Sequence, residues 1–187
     1  TWTLDAAGVM TISGSGAMYN YTYNTMPWYQ YQKSIKQVKI RDGVTSIGDE
    51  AFYFCYNLTH VSLGDSVMSI GDQAFDFCDK LKSIQVNAEN PHYSSDDSGV
   101  LFNKDKTVLI QCPYAYSGSY TVPDSVVEIP SHAFAKCENL TSVTIPESVT
   151  KIGSYAFTNC DSLGSVTVPE SVTIINDGTF AYCDSLS

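Results

Sequence analysis

Three histidines, six cysteines and a scatter of acids are the residues of this chain that could do chemistry. His60 and Ser62 are two apart, so on a strand they share one face, and a hydroxyl beside an imidazole is the start of an acyl-transfer nucleophile. Such a pair needs an acid behind the imidazole and donors for an oxyanion. The neighbouring strands instead offer Gln37, Lys39, Ser83 and Gln85. The Gly-x-Ser-x-Gly elbow of a serine hydrolase and the Gly-rich loop of a phosphate site are both missing. His60, His92 and His132 have no metal-ligand spacing. Asp96 and Asp97, beside Ser94 and Ser95, offer oxygens of the kind Ca²⁺ takes, but two adjacent acids fall far short of a calcium loop. No catalytic residue, metal or cofactor is therefore assigned.

The cysteines carry a different message. Cys55, Cys78, Cys137, Cys160 and Cys183 fall at one position of a repeat, and Cys112 falls outside it. Stacked coils about 4.8 Å apart would bring such thiols within disulfide reach. Ladder side chains point in parallel, however, which suits the bridge torsion poorly, so buried thiols acting as small hydrophobes are the expectation, ahead of disulfides or metal ligands.

The repeat that positions them is 23 residues long and starts at Val44, Val67, Val126, Val149 and Val172. A fixed period of this size means a solenoid of stacked coils. Each coil has a string of alternating inward residues: Leu58-x-x-Val61-x-Leu63, Leu140-x-x-Val143-x-Ile145, Leu163-x-x-Val166-x-Val168. These read as short strands. Gly64, Pro123, Pro146 and Pro169 then end the ladder and turn the chain. The return path repeats Ile, Ala, Phe and Cys, as in IGDEAFYFC from Ile47 and IGSYAFTNC from Ile152. Phe52, Phe75, Phe134, Phe157 and Phe180 should stack as its core. Asp49, Asp72, Ser131 and Ser154 suit the N-cap of one helical or 3₁₀ turn.

The strings I-G-x-x-A-F-x-x-C-x-x-L and L-x-x-V-x-I-P-x-S-V resemble the BspA-type leucine-rich repeat of bacterial surface proteins. The resemblance covers nearly the whole chain. It implies a leucine-rich repeat solenoid, β-dominated, with a parallel sheet on one face and short strands or helical turns on the other. It also implies a secreted or cell-surface setting and a role in adhesion or protein binding.

Residues 1–34 do not repeat. TWTLDAAGVMTI alternates about Ala7-Gly8 as a hairpin does, and Pro27 opens a short helix toward Ser34. Tyr19, Tyr21, Tyr23, Trp28, Tyr29 and Tyr31 between them are read as an N-terminal cap rather than a glycan-stacking platform. Residues 35–187 are the repeat array. Its coil at 81–116 is longer and carries a hairpin, GVLF and TVLI about Asn103–Lys106, in place of the Ala-Phe-x-x-Cys segment.

The net charge of −10 argues against a general nucleic-acid role. The ten basic residues are unevenly placed, with Lys33, Lys36, Lys39 and Arg41 within nine positions, which reads as a solvated first strand or, more sharply, as a local basic patch on an acidic molecule. No apolar run is long enough to span a membrane. The chain opens on Thr1 and stops just after Leu186 starts another coil, which reads as a fragment of a longer protein.

What remains for function is the outward face of the strands: Gln37, Lys39, His60, Ser62, Ser83, Gln85, Ser142, Thr144, Ser165 and Thr167. The expected function is a monomeric recognition or adhesion module binding an extracellular protein or glycan there. The alternative is a passive spacer within a larger surface protein.

Overall fold

The computed structural model describes residues 1–187. It is a leucine-rich repeat solenoid of six coils, falling into two compact units, Thr1–Ser94 and Ser95–Ser187. In the first unit a five-stranded sheet runs Trp2–Leu4, Val9–Ile12, Gln37–Ile40, His60–Leu63, Ser83–Val86. The first pair is an antiparallel hairpin, its turn held by Asp5 Oδ1, which accepts from the amides of Ala7 and Val9. All later pairings in that sheet are parallel. In the second unit Ser117–Thr121, Asn139–Thr144 and Ser165–Thr167 form a parallel three-stranded sheet.

Inward residues of the strand string are buried as the alternation requires: Leu58, Val61 and Leu63, then Leu140, Val143 and Ile145. The turn closes three residues after each proline, where the amides of Val126, Val149 and Val172 donate to the carbonyls of Pro123, Pro146 and Pro169. The return path begins with short parallel strands, Val44–Ile47 and Ser69–Ile70 in one unit, Glu128–Ile129 and Lys151–Ile152 in the other. Here the coils approach closely. A Cβ on Gly71 would run into the backbone of Gly48 and Asp49, and one on Gly153 into Pro130 and Ser131.

No helical turn follows, contrary to the capping expectation. The only helix is the 3₁₀ segment Tyr29–Ser34. Each regular return path instead places two residues in the left-handed region, Glu50 and Phe54 in one coil, Gln73 and Phe77 in the next, Tyr155 and Asn159 further on. That breaks any helix and turns alternate amides toward the following coil. Glu50, Phe52 and Phe54 donate to the carbonyls of Asp72, Ala74 and Asp76, and Tyr155, Phe157 and Asn159 to those of Asp177, Thr179 and Ala181. Asp49 caps nothing in its own coil, since its Oδ1 accepts from the amide of Asp72 at 2.9 Å. Strain at non-glycine left-handed residues, about 1 kcal/mol or more each, is offset by a backbone ladder that leaves few polar groups unpaired.

The phenylalanines stack inside this ladder. Phe52 and Phe75 lie 5.7 Å apart and 5° from parallel, Phe134 and Phe157 4.8 Å and 12°. Trp28 continues the first stack, 5.6 Å above Phe52 and itself 2% exposed. The carbonyls of the first return path that have no preceding coil to serve them are met from residues 1–34. The Tyr21 amide donates to Asp49, Trp28 Nε1 to Ala51 at 2.8 Å, and Gln32 Nε2 to Tyr53 at 2.6 Å.

Candidate functional site

The outward residues form rows because the strands pair in register. Gln37, His60 and Ser83 sit side by side, as do Lys39, Ser62 and Gln85. In the second unit Ser142 pairs with Ser165 and Thr144 with Thr167, each row beginning at Ser119 or Thr121. Adjacent members of a row are about 4.8 Å apart. Of the ten predicted residues only His60 uses its side chain within the fold, its Nδ1 lying 2.8 Å from Thr59 Oγ1. The Thr59 hydroxyl in turn donates to the Lys36 carbonyl at 2.8 Å, so the His60 ring donates to it.

The two units differ at the step after the strand. In the second unit the residues following Val122, Ile145 and Val168 are Pro123, Pro146 and Pro169. In the first unit the corresponding residues are Arg41, Gly64 and Asn87. With Lys39, Ser62 and Gln85 they line an open groove of about 450 Å³. Asp42 also lines it, with its Oδ1 accepting from the Asp65 amide at 3.0 Å. Arg41, Gly64, Asn87 and Asp42 were not among the predicted site residues. The available signal was the loss of proline at three successive turns.

Asp96 and the thiols singled out in the sequence are engaged within the fold. Asp96 spends one oxygen on the Val100 amide and the other on the hydroxyl of Tyr120, at 2.9 and 2.7 Å. All six cysteines are free, and only Cys183 is less than fully buried. The thiols of Cys78, Cys160 and Cys183 donate to the carbonyls of Phe52, Phe134 and Phe157 at 3.1–3.2 Å. Burial pushes the Cys55 thiol up to about 12 and raises Cys78, Cys137 and Cys160 likewise.

Cys112 occupies a phenylalanine position. Its amide donates to Ala133, as that of Phe52 does to Ala74. The hairpin of this coil pairs Leu101–Asn103 with Leu109–Gln111, and Asn103 Oδ1 accepts from the amides of Thr107 and Val108 across its turn.

The sequence model of the BspA type Leucine rich repeat region matches in six copies, over residues 27–98 and 113–187. The stretch between the two matched segments holds the Leu101–Gln111 hairpin. Among solved structures, the pneumococcal vaccine antigen PcpA is 28% identical with a TM-score of 0.63, over 74% of this chain and 40% of its own. A leucine rich cell surface protein of Faecalibacterium prausnitzii is 20% identical with a TM-score of 0.58, over 99% of this chain and 79% of that one. A leucine-rich repeat protein of Eubacterium ventriosum is 24% identical with a TM-score of 0.49, over the full chain and 74% of its own. No curated protein matches.

Proposed function

The chain belongs to the BspA-type leucine-rich repeat family, and from that premise we propose that it is a recognition module of a bacterial surface or secreted protein. It binds host or neighbouring-cell macromolecules through the outward face of its strands and carries no reaction. The observation that supports this is the idleness of that face. Nine of the ten outward side chains make no hydrogen bond within the fold, while the inward rows and the return path are fully engaged. Side chains that the fold does not use are available to a partner at no cost in stability. No helix is long and apolar enough to cross a membrane, and the module acts as a monomer. Residues 1–34 serve as its N-terminal cap.

The rows of the second unit favour a second reading for that unit, a spacer. Ser142, Ser165, Thr144 and Thr167 are short and uncharged, and exposed threonines favour strand formation by themselves. Interface hot spots need bulk or charge, and these rows have neither.

The test is an array of extracellular-matrix proteins and glycans probed with the whole chain at two salt concentrations. A saturable hit that disappears in the Lys39→Ala, His60→Ala, Gln85→Ala triple variant, with the melting temperature unchanged, is the expected result. A hit indifferent to the triple variant, or no hit, would overturn recognition through this face.

A further inference from the structure

The groove after the strands of the first unit has a shape and a charge that its counterpart cannot have. Two rows build it. Lys39, Ser62 and Gln85 are in register across three strands, and Arg41, Gly64 and Asn87 follow two residues later, just past the ends of those strands. Long side chains stand on the outer strands and short ones on the middle strand. The result is a trough with a floor of Ser62 and Gly64. One wall is cationic, Lys39 and Arg41, and the other is amide, Gln85 and Asn87. Two strand spacings separate the walls, about 10 Å, which is room for one extended chain. Gly64 adds no side chain to the floor and lets the coils approach there, since a Cβ would come within 2.7 Å of Asp42 Oδ1 and 2.9 Å of the Arg41 backbone.

Charge decides the occupant. Arg41 and Lys39 are exposed and form no ion pair. The Asp42 carboxylate beside them is held by the Asp65 amide. The lining therefore carries one net positive charge on a chain whose net charge is −10. Ligand carboxylates would complete both cations. Lys39 and Arg41 are two residues apart, about 7 Å along an extended backbone. That is the spacing between side chains at alternate positions of another extended chain. The opposite wall fits a peptide in a second way. A primary amide presents both a donor and an acceptor, which a peptide unit matches. Asn87 Oδ1 is occupied by the Glu89 amide at 3.0 Å, which leaves its NH₂ group and both ends of Gln85. No aromatic side chain lines the trough, so nothing there would stack on a sugar ring.

We propose that this trough binds an extended acidic peptide with carboxylates at alternate positions, seated between the Lys39–Arg41 wall and the Gln85–Asn87 wall. The inference rests on the recognition reading and names the ligand class of the same face. Neither Thr121, Thr144 and Thr167 nor Pro123, Pro146 and Pro169 in the second unit could do this.

The experiment uses the whole chain and a fluorescently labelled octapeptide alternating aspartate and serine, followed by anisotropy at low and high salt. Comparison probes are the block peptide of the same composition, an asparagine–serine version, and polygalacturonate. The alternating peptide should bind saturably and more weakly at high salt. It should lose about tenfold or more in affinity with Lys39→Glu and Arg41→Glu together, and separately with Ser62→Trp, which fills the floor. Lys33→Glu, an equal charge change outside the trough, should leave it unchanged. Equal binding of the block peptide, or an equal loss with Lys33→Glu, would reduce the effect to bulk electrostatics and overturn the proposal. Polygalacturonate binding that depends on Lys39 and Arg41, without peptide binding, would make the occupant a glycan and overturn it too. So would the absence of saturable binding by any acidic probe. The array experiment separates the two failures: a hit lost in the triple variant but not competed by the peptide preserves recognition and removes the acidic-peptide ligand.

Discussion

Replacing Trp28 tests whether the non-repeating segment acts as a coil in chemical terms. Its ring extends the phenylalanine stack over Phe52, and its Nε1 donates to a carbonyl that no preceding coil reaches. Trp28→Phe keeps most of the stacking and removes the donor. Ala51 has no exposed surface, so water cannot replace that donor, and a buried acceptor left unpaired costs about 1–3 kcal/mol. Trp28→Ala also removes the ring, for which truncation of a buried aromatic costs roughly 3–5 kcal/mol. Tyr19 and Tyr29 of the same segment are 82% and 44% exposed, and their alanine variants should stay within about 0.5 kcal/mol of the parent. Urea unfolding followed by far-ultraviolet circular dichroism measures all four. The expected order is Trp28→Ala well below Trp28→Phe, with both tyrosine variants near the parent. A Trp28→Phe protein as stable as the parent would refute the bond's role. A Tyr19→Ala variant as costly as Trp28→Phe would show that aromatic bulk in general, and not the ladder position, matters there.

The remaining predictions concern the ladder interior. Gly153→Ala should cost about 1–3 kcal/mol through its clash with the Ser131 backbone, whereas Gly164→Ala, whose nearest neighbour would be 3.8 Å away, should be almost neutral in the same melts. Tyr120→Phe should cost roughly 1–2 kcal/mol, a charge-assisted bond discounted for its partial exposure, and urea melts read it directly. Native alkylation at pH 8 followed by mass spectrometry should label Cys183 first and leave Cys55, Cys78, Cys137 and Cys160 unmodified, while all six react after denaturation. The folded thiols hold their protons above the unfolded value of 9.0, so the unfolded state loses protons first as pH rises. Stability should be full below about pH 9 and fall between there and about 12, and a Cys55→Ala variant should show a shallower fall.

The strand rows were legible because period and pleat leave little freedom. A 23-residue step brings His60 beside Gln37 and Ser83, and alternation then decides which residues face out. The return path was not legible in the same way. Glu50, Gln73, His132 and Tyr155 have no shared chemistry that favours the left-handed region, yet all adopt it. At Glu50 and Tyr155 the residue's own amide bonds to the next coil, at Asp72 and Asp177, a tertiary interaction that overrides local preference. The capping expectation failed for that reason: Asp49 reads as a helix start, but its Oδ1 accepts from the amide of Asp72, one coil on. Cys112 was misleading for a related reason. Its neighbours in sequence belong to a hairpin, and only the bond to Ala133 reveals that it stands in a phenylalanine slot. A thiol is much smaller than a ring. Tyr120, at a position that is Val or Ile in the other coils, brings its ring within 5.9 Å of Phe134 and so supplies the missing aromatic bulk.

The trough shows where sequence reading stopped one step too early. Outward rows were followed to the ends of the strands, and the next residue was treated as a turn former. In the second unit that is right, since Pro123, Pro146 and Pro169 suit the turn. In the first unit the same turn is made by Arg41, Gly64 and Asn87. Its Val44 amide still donates to Arg41, at 3.3 Å against 3.0–3.1 Å after the prolines, so the turn survives without the residue best suited to it. Proline fixes φ and lowers the entropy of the unfolded chain, worth about 0.4–1 kcal/mol at a compatible site. That gain is closed to Arg41 and Asn87, whose amides donate to the carbonyls of Ile12 and Leu63 at 3.0 and 2.9 Å, and the first unit places a cation, a gap and an amide beside Lys39, Ser62 and Gln85. Of these positions Asn87 serves the fold, its Oδ1 accepting from the Glu89 amide, while the Arg41 side chain has no hydrogen bond or ion pair within it. Arg41→Pro and Asn87→Pro should therefore lower the melting temperature, each through the loss of a backbone hydrogen bond, whereas Arg41→Ala should leave the stability within about 0.5 kcal/mol of the parent and weaken binding of the alternating acidic peptide. An Arg41→Ala variant that kept its affinity would place the ligand contacts elsewhere.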